Sequence, residues 1–253
     1  MLGFLLEPYF GLSMTLVEHL AELRTRLFIA LGAWVIAAGI AFGFRFTLLD
    51  WLKEPLPANL TLNAFSLMEP FVVSMQIASF FGLVLASPII VHQVWSFLAP
   101  GLYEDERRWA IPFISLTAIA FSSGVLFGRY VVLPFSIPII LGFLGTEADI
   151  LPSIGDYISK LILIMAVFGL IFEMPVLGFL LAKIGLLRSE LMVQYRKYSV
   201  VVGLVLAAVI TPTADPFNFA LVAIPLVVLY EITIIVVRLS QRRAPASEEA
   251  TSP

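Results

Sequence analysis

The sequence predicts an all-α polytopic membrane protein of six transmembrane helices, and three observations lead there. Hydrophobic residues make up 60% of the 253 and charged residues only 13%, giving a mean hydropathy of +1.00, well outside the soluble globular range. Apolar stretches of about 18–20 residues recur, each long enough at 1.5 Å per residue to cross roughly 30 Å of hydrocarbon. The few charges gather in short connections between these stretches, most densely in His92–Arg108. The bilayer is therefore this chain's solvent. Cysteine is absent, which excludes a disulfide framework and a thiolate metal site. The net charge of −3 carries little weight, because in a membrane protein the placement of charge matters more than its sum.

Hydropathy and flanking polar residues place the spans at about 25–48, 71–97, 109–132, 157–182, 195–211 and 217–238, within a single membrane domain covering 14–238. Residues 1–13 are apolar without the basic start of a secretory signal, and they read as an N-terminal extension. Met14–Leu27 follows as an amphipathic helix on the membrane surface. Thr15 and Glu18 form a capping-box pair, and Leu16, Leu20, Leu23 and Leu27 make one apolar stripe. Glu18, Glu22 and Arg26 share its wet face. The bland reading of Glu22 is an ordinary i, i+4 pair with Arg26; the sharper one is a carboxylate offered to a basic ligand.

The fifth span is the shortest, with only Tyr198–Ile210 uninterrupted, about 20 Å of helix, before Thr211-Pro-Thr-Ala-Asp-Pro216. With the sixth it makes two short, tightly joined helices expected to thin the bilayer locally. The segments 49–70 and 133–156, rich in proline, glycine and apolar residues, are expected to fold back over the bundle as interfacial cap elements. Residues 239–253 read as a disordered aqueous tail.

Orientation follows from the fifteen basic residues. Arg24, Arg26, Arg107, Arg108, Lys183, Arg188, Arg196, Lys197, Arg238, Arg242 and Arg243 fall on one side of a six-span arrangement, and Arg45, Lys53, Arg129 and Lys160 on the other. The positive-inside rule then puts both termini and the 98–108 and 183–196 loops in the cytoplasm.

Against that rule, Glu104, Asp105 and Glu106 stand together in the cytoplasmic 98–108 loop, flanked by Trp95, Phe97 and Tyr103 around a Pro100-Gly101 turn. An aromatic belt and an acidic helix start account for part of this. An acidic patch rimmed by aromatics also suits a cationic peptide, since guanidinium groups bind carboxylates bidentately and stack on rings. Glu173 lies near the middle of the fourth span, where a bare carboxylate costs several kcal/mol. It is therefore protonated, paired or in a wet cavity, and marks a functional position by default. Pro175 just beyond it kinks the helix. Gln76 and Gln93 read as interhelical hydrogen bonders, and Glu231 sits where its side chain reaches the interface.

Taken together, EHLAELRTRL at 18–27, QVWSFLAPGLYEDERR at 93–108, FGLIFEMPV at 168–176 and the TPTADPF–AIP region at 211–225 resemble, in order, the motifs of the TatC family, the multispan component of twin-arginine protein translocation. The resemblance runs from about Met14 to Arg238. It implies a concave, glove-like six-helix bundle in the bacterial plasma (inner) membrane that receives twin-arginine signal peptides of folded cargo. It further implies TatA- and TatB-type single-span partners, self-association in a multimeric receptor complex, and energy from the proton-motive force. By the same resemblance Glu22 and Glu106 match the carboxylates that bind the twin arginines, Phe97 the aromatic of that loop, and Pro100, Leu102 and Tyr103 the motif around them. Glu173 matches the intramembrane carboxylate facing the groove and a partner helix, and Tyr198–Val237 the docking edge for the TatB-type helix. Phe219 stands where some relatives carry glutamine, with Asn218 beside it as a substitute.

No catalytic residue, cofactor, metal or nucleic-acid partner is expected: phosphate-cradling GxxxxGK[ST], HExxH, GxSxG and SxxK patterns do not occur. The alternative from a different class is a proton- or cation-coupled secondary transporter using Glu173, against which no inverted repeat is visible.

Overall fold

The computed structural model describes residues 16–98, 110–142, 151–183, 185–210 and 216–241. The readings made for residues 1–13, for the 99–109 connection with Pro100, Leu102, Tyr103 and Glu106, for the 211–215 turn and for the tail beyond Gln241 fall outside them.

Each helix is set by where its apolar run is interrupted. Helix α1, Leu16–Gly43, carries the amphipathic segment straight into the first span without a break, and α2, Arg45–Lys53, turns away after Gly43. The first helical rod therefore ends five residues before the expected boundary at 48, and the surplus forms a separate short helix. Helix α3 is Glu69–Leu98. Helix α4, Ala110–Phe127, does not stop at 132: it passes through one π turn, Gly128–Val132, into α5, Leu133–Gly142. The segment read as cap thus begins as helix. The amide of Leu133 bonds the carbonyl of Gly128, the wider turn that lets the chain continue where Pro134 and Pro138 lack amide donors.

Helix α6, Ile154–Phe172, starts at an N-cap Ser153 whose hydroxyl accepts from the Asp156 amide. It breaks at Glu173, and α7, Met174–Lys183, resumes the same span; Pro175 is the physical cause. Gly185, with φ +74°, reverses the chain after α7. The amides of Gly185 and Leu186 bond back to Ala182 and Leu181, the left-handed end that glycine permits. Helix α8, Ser189–Gln194, leads to α9, Arg196–Ile210, and α10, Pro216–Gln241. Of the two, only α9 is short: α10 has 26 residues and runs three residues past the expected end at 238, to Gln241. Among the described residues five stretches are long and apolar enough to cross a membrane, and the 15-residue α9 is not one of them.

Helix α1 packs chiefly on α3, α4 on α6 and α3, and α10 on α7 and α9. Close approach depends on small residues, as expected where lipid removes the hydrophobic drive between helices. A Cβ on Gly82 would sit 2.5 Å from the Ala38 Cα of α1, and one on Gly169 would sit 2.7 Å from the Phe121 ring of α4. The main core, with Ile77, Phe121, Leu133, Ile158, Met165 and Phe168, lies where α3, α4, the π turn and α6 meet. Outward faces remain apolar, with Phe28, Ile36, Ile119 and Val209 exposed, which suits contact with acyl chains.

At the end opposite most basic residues, the connections are tied together. Asn63 pairs with Ser153 in an isolated parallel bridge, and Glu69 caps both strands of it. One carboxylate oxygen accepts from the amides of Phe65 (2.7 Å) and Ser66 (3.2 Å). The other accepts from the Gly155 amide (2.8 Å) and the Ser153 hydroxyl. Beside it, Arg129 from the π turn is only 2% exposed. It donates to the Trp51 carbonyl (2.6 Å) and to Glu54 (2.7 Å) and lies over the Trp51 and Tyr130 rings.

Candidate functional site

Two groups of residues carry chemistry, at different depths. The first is at the end of the bundle where α1 begins and α3 ends. His19, in the first turns of α1, stacks on Phe97 in the last turn of α3, with ring centroids 4.3 Å apart and planes at 19°. Helical spacing brings Glu22 one turn after His19, on the same side of α1. Its Oε1 accepts from Arg26 Nε at 2.8 Å and also from Arg26 Nη2, while Oε2 is buried and has no hydrogen-bond partner among the described residues. The two side chains are 18% and 25% exposed, which sets the pair apart from a fully solvated one. Phe97 and Glu22 thus belong to the same end of the same helix pair. Glu106, Pro100, Leu102 and Tyr103 belong to the connection that leaves from Leu98 and lie outside the described residues.

The second group is within the apolar layer. Glu173 occupies the break between α6 and α7 with 8% exposure; neither carboxyl oxygen makes a well-formed hydrogen bond among the described residues, and the Phe121 backbone of α4 is a polar neighbour. Its surroundings follow from its neighbours in sequence. Gly169, one turn before, meets Phe121, and Val176, one turn after, clusters with Trp95, Phe113 and Leu180. Thr117 Oγ1 of α4 and Trp95 Nε1 of α3 are likewise buried without a partner. The structure therefore separates the sequence-predicted residues: Glu22 and Phe97 share one end, and Glu173 stands alone at mid-span.

Other readings resolve as follows. Gln76 accepts from Ser159 of α6 at 3.2 Å, an interhelical bond as expected, and it lines an open groove of about 500 Å³ with Trp34, Ser79 and Ser159. Gln93 contacts the adjacent His92 on its own helix, at 3.3 Å. Glu231 is held by Arg196 at 2.7 Å, joining α10 to α9. Asn218 is buried, while Phe219 packs against the main core. The first-turn Glu190 of α8 is held below the usual carboxylate range by its own backbone amide and the Ser189 hydroxyl. Among the described residues no cluster of three or more His, Cys, Asp or Glu could hold a metal ion.

Sequence reading missed Arg129 and Glu69. Arg129 had one available signal, a lone arginine next to Tyr130 within an apolar run, which demands a buried partner. Glu69 had a weaker one, an acid immediately before Pro70 at a helix start.

Long apolar helices, apolar outward faces, a half-buried carboxylate at one end and a buried carboxyl at mid-span define a multi-pass α-helical membrane protein. Comparison with known proteins gives the particular kind. The family Sec-independent protein translocase protein (TatC) matches residues 18–225, and the chain belongs to that family. It is 37% identical to the Sec-independent protein translocase protein TatC of Deinococcus radiodurans, over 95% of this chain and 92% of that protein. It is also 37% identical to TatC of Aquifex aeolicus, over 94% and 100%, and 36% identical to TatCy of Bacillus subtilis, over 94% of each. A crystal structure of the twin arginine translocase receptor TatC superimposes with a TM-score of 0.79 at 36% identity, covering 89% of this chain and 100% of that one.

Proposed function

We propose that this chain is the receptor subunit of a twin-arginine translocase, capturing twin-arginine signal peptides at the end of the bundle formed by α1 and α3. The observation that carries the reading is Glu22. Its carboxylate is half-withdrawn from water, already in guanidinium geometry, and beside the His19–Phe97 stack. Glu106, on the connection leaving α3, supplies the second carboxylate; Phe97, Pro100, Leu102 and Tyr103 shape the surface that presents it. Each charge-assisted bond to an arginine contributes about 1.5–3 kcal/mol. This face is cytoplasmic by the positive-inside rule, with both termini on the same side. The membrane is the bacterial inner membrane, and residues 14–238 act as one membrane domain between an N-terminal extension and an aqueous tail.

The peptide's apolar stretch then lies along the bundle, and occupancy shifts single-span TatA- and TatB-type partners that meet Glu173 and the α9–α10 edge, in a complex of several receptor copies. A burial with no well-formed hydrogen bond among the described residues is what a side chain awaiting another protein's polar group requires. The proton-motive force drives export of folded cargo.

The test is site-specific photo-crosslinking from positions 22, 97, 106 and 173 in native membrane. Glu22→Lys or Glu106→Lys abolishes crosslinks to a twin-arginine signal peptide while the protein remains inserted; persistence of those crosslinks overturns the capture site. Glu173→Ala spares them and alters partner crosslinks, and a loss of peptide binding in that variant overturns the division of roles.

A further inference from the structure

The proposed capture site already contains an arginine. Arg26 places both Nε and Nη2 on one oxygen of Glu22, and the other oxygen is buried without a partner among the described residues. A solvated i, i+4 pair on a helix surface averages over many geometries and is screened. Here two donors converge on a single acceptor, and both side chains are largely withdrawn from water. The stack of His19 on Phe97 seats this part of α1 against α3. Arg24, two residues from Glu22, projects from another side of the helix and is exposed. The charge of Glu22 is therefore neutralised from within the chain, by the same chemical group that the proposed ligand would bring.

We infer that Arg26 is an internal counter-ligand that sets the affinity threshold of the twin-arginine site. A signal-peptide cation reaches Glu22 only by displacing Arg26 from Oε1, because Oε2 is buried. This rests on the reading of Glu22 as a capture residue and adds to it a residue that opposes binding. A tethered competitor raises the apparent dissociation constant by one plus its own equilibrium constant for the carboxylate. For a partly screened i, i+4 pair that factor is about two to five. It multiplies the constant of every ligand alike. Arginine and lysine ligands are weakened by the same ratio, and the weaker ones fall below useful occupancy at cellular concentrations.

The experiment uses the full-length protein in lipid nanodiscs and two fluorescent synthetic signal peptides, one with Arg-Arg and one with Lys-Lys, read by anisotropy. Arg26→Met, which keeps the apolar stem, and Arg26→Gln each tighten both peptides by about two- to fivefold with the Arg-Arg to Lys-Lys ratio unchanged. Weaker binding, unchanged binding or a changed ratio in these variants overturns the proposal. Glu22→Gln separates the two levels. If it leaves Arg-Arg binding intact, the capture reading fails; if it weakens binding while Arg26→Met does not tighten it, only the threshold fails. The unmodified protein supplies a second readout. Phenylglyoxal labelling located at Arg26 by mass spectrometry rises when the Arg-Arg peptide saturates the site, and labelling that stays constant overturns displacement.

Discussion

Replacing Glu173 by methionine should make the isolated protein more stable and its translocation function worse. The carboxyl is 8% exposed, and neither of its oxygens makes a well-formed hydrogen bond among the described residues. A buried polar group left unsatisfied costs about 1–3 kcal/mol even when neutral, and more when charged. Methionine is similar in length, unbranched and able to adapt to an irregular gap, so little packing is lost. The expected gain is therefore about 1–3 kcal/mol, or a rise of about 2–12 °C in unfolding midpoint for a chain of this size. Thermal unfolding in detergent micelles, followed by tryptophan emission, measures it. Glu173→Gln is the control: it leaves an unsatisfied polar group in place and shifts the midpoint much less. A methionine variant no more stable than the parent would show that the carboxyl is satisfied, by water or by a neighbour, and would refute the reasoning. Export of a twin-arginine reporter should fall in the same variant if Glu173 meets a partner helix as proposed.

Three further outcomes follow from the packing. Gly82→Ala puts a methyl 2.5 Å from the Ala38 backbone, which cannot yield, so α1 moves away from α3 and stability falls by about 1–3 kcal/mol. Gly39→Ala, with nothing within 4 Å, is neutral or mildly stabilising in the same unfolding assay. Arg129→Met removes the bonds to the Trp51 carbonyl and Glu54, and costs about 1.5–3 kcal/mol; Arg129→Lys recovers only part of it, having no planar fork to lie over the Trp51 ring. For Glu190, the folded carboxyl titrates below its ordinary value, so its contribution is present above that value and is lost as pH falls through the folded one. An acid titration of local amide protection in Ser189–Gln194 should show this loss, and Glu190→Gln should remove it.

The class of fold was legible because lipid imposes long apolar runs that no other solvent does, and α3, α6 and α10 follow from such runs alone. Boundaries were harder wherever proline or glycine acts through geometry. Pro134 and Pro138 read as the end of a helix, yet one π turn lets the rod continue to Gly142. The break between α1 and α2, at Phe44, was hidden within an apolar run. Of the candidate residues, Glu173 stood out because a carboxylate within an apolar segment has few bland explanations, whereas Glu22 had an ordinary one, the pair with Arg26 that the structure shows. Phe97 could be placed by its motif, but its stacking on His19 joins residues from two helices and has no signature in either. Arg129 and Glu69 were missed for the same reason: their meaning lies in backbone groups of distant segments, and nothing in a local pattern records them.

The clasp at Glu69 also bears on how the chain is assembled during its synthesis. Its amide partner Gly155 lies 86 residues later, an interval of about 4–17 s at typical elongation rates. Until then the start of α3 and its preceding loop have made their local bonds to Phe65 and Ser66 but not the distant ones. This end of the bundle is fastened only after the first turn of α6 has been made. Synthesis of that turn is therefore the event that completes the clasp, and a chain arrested before residue 153 would be inserted yet unfastened.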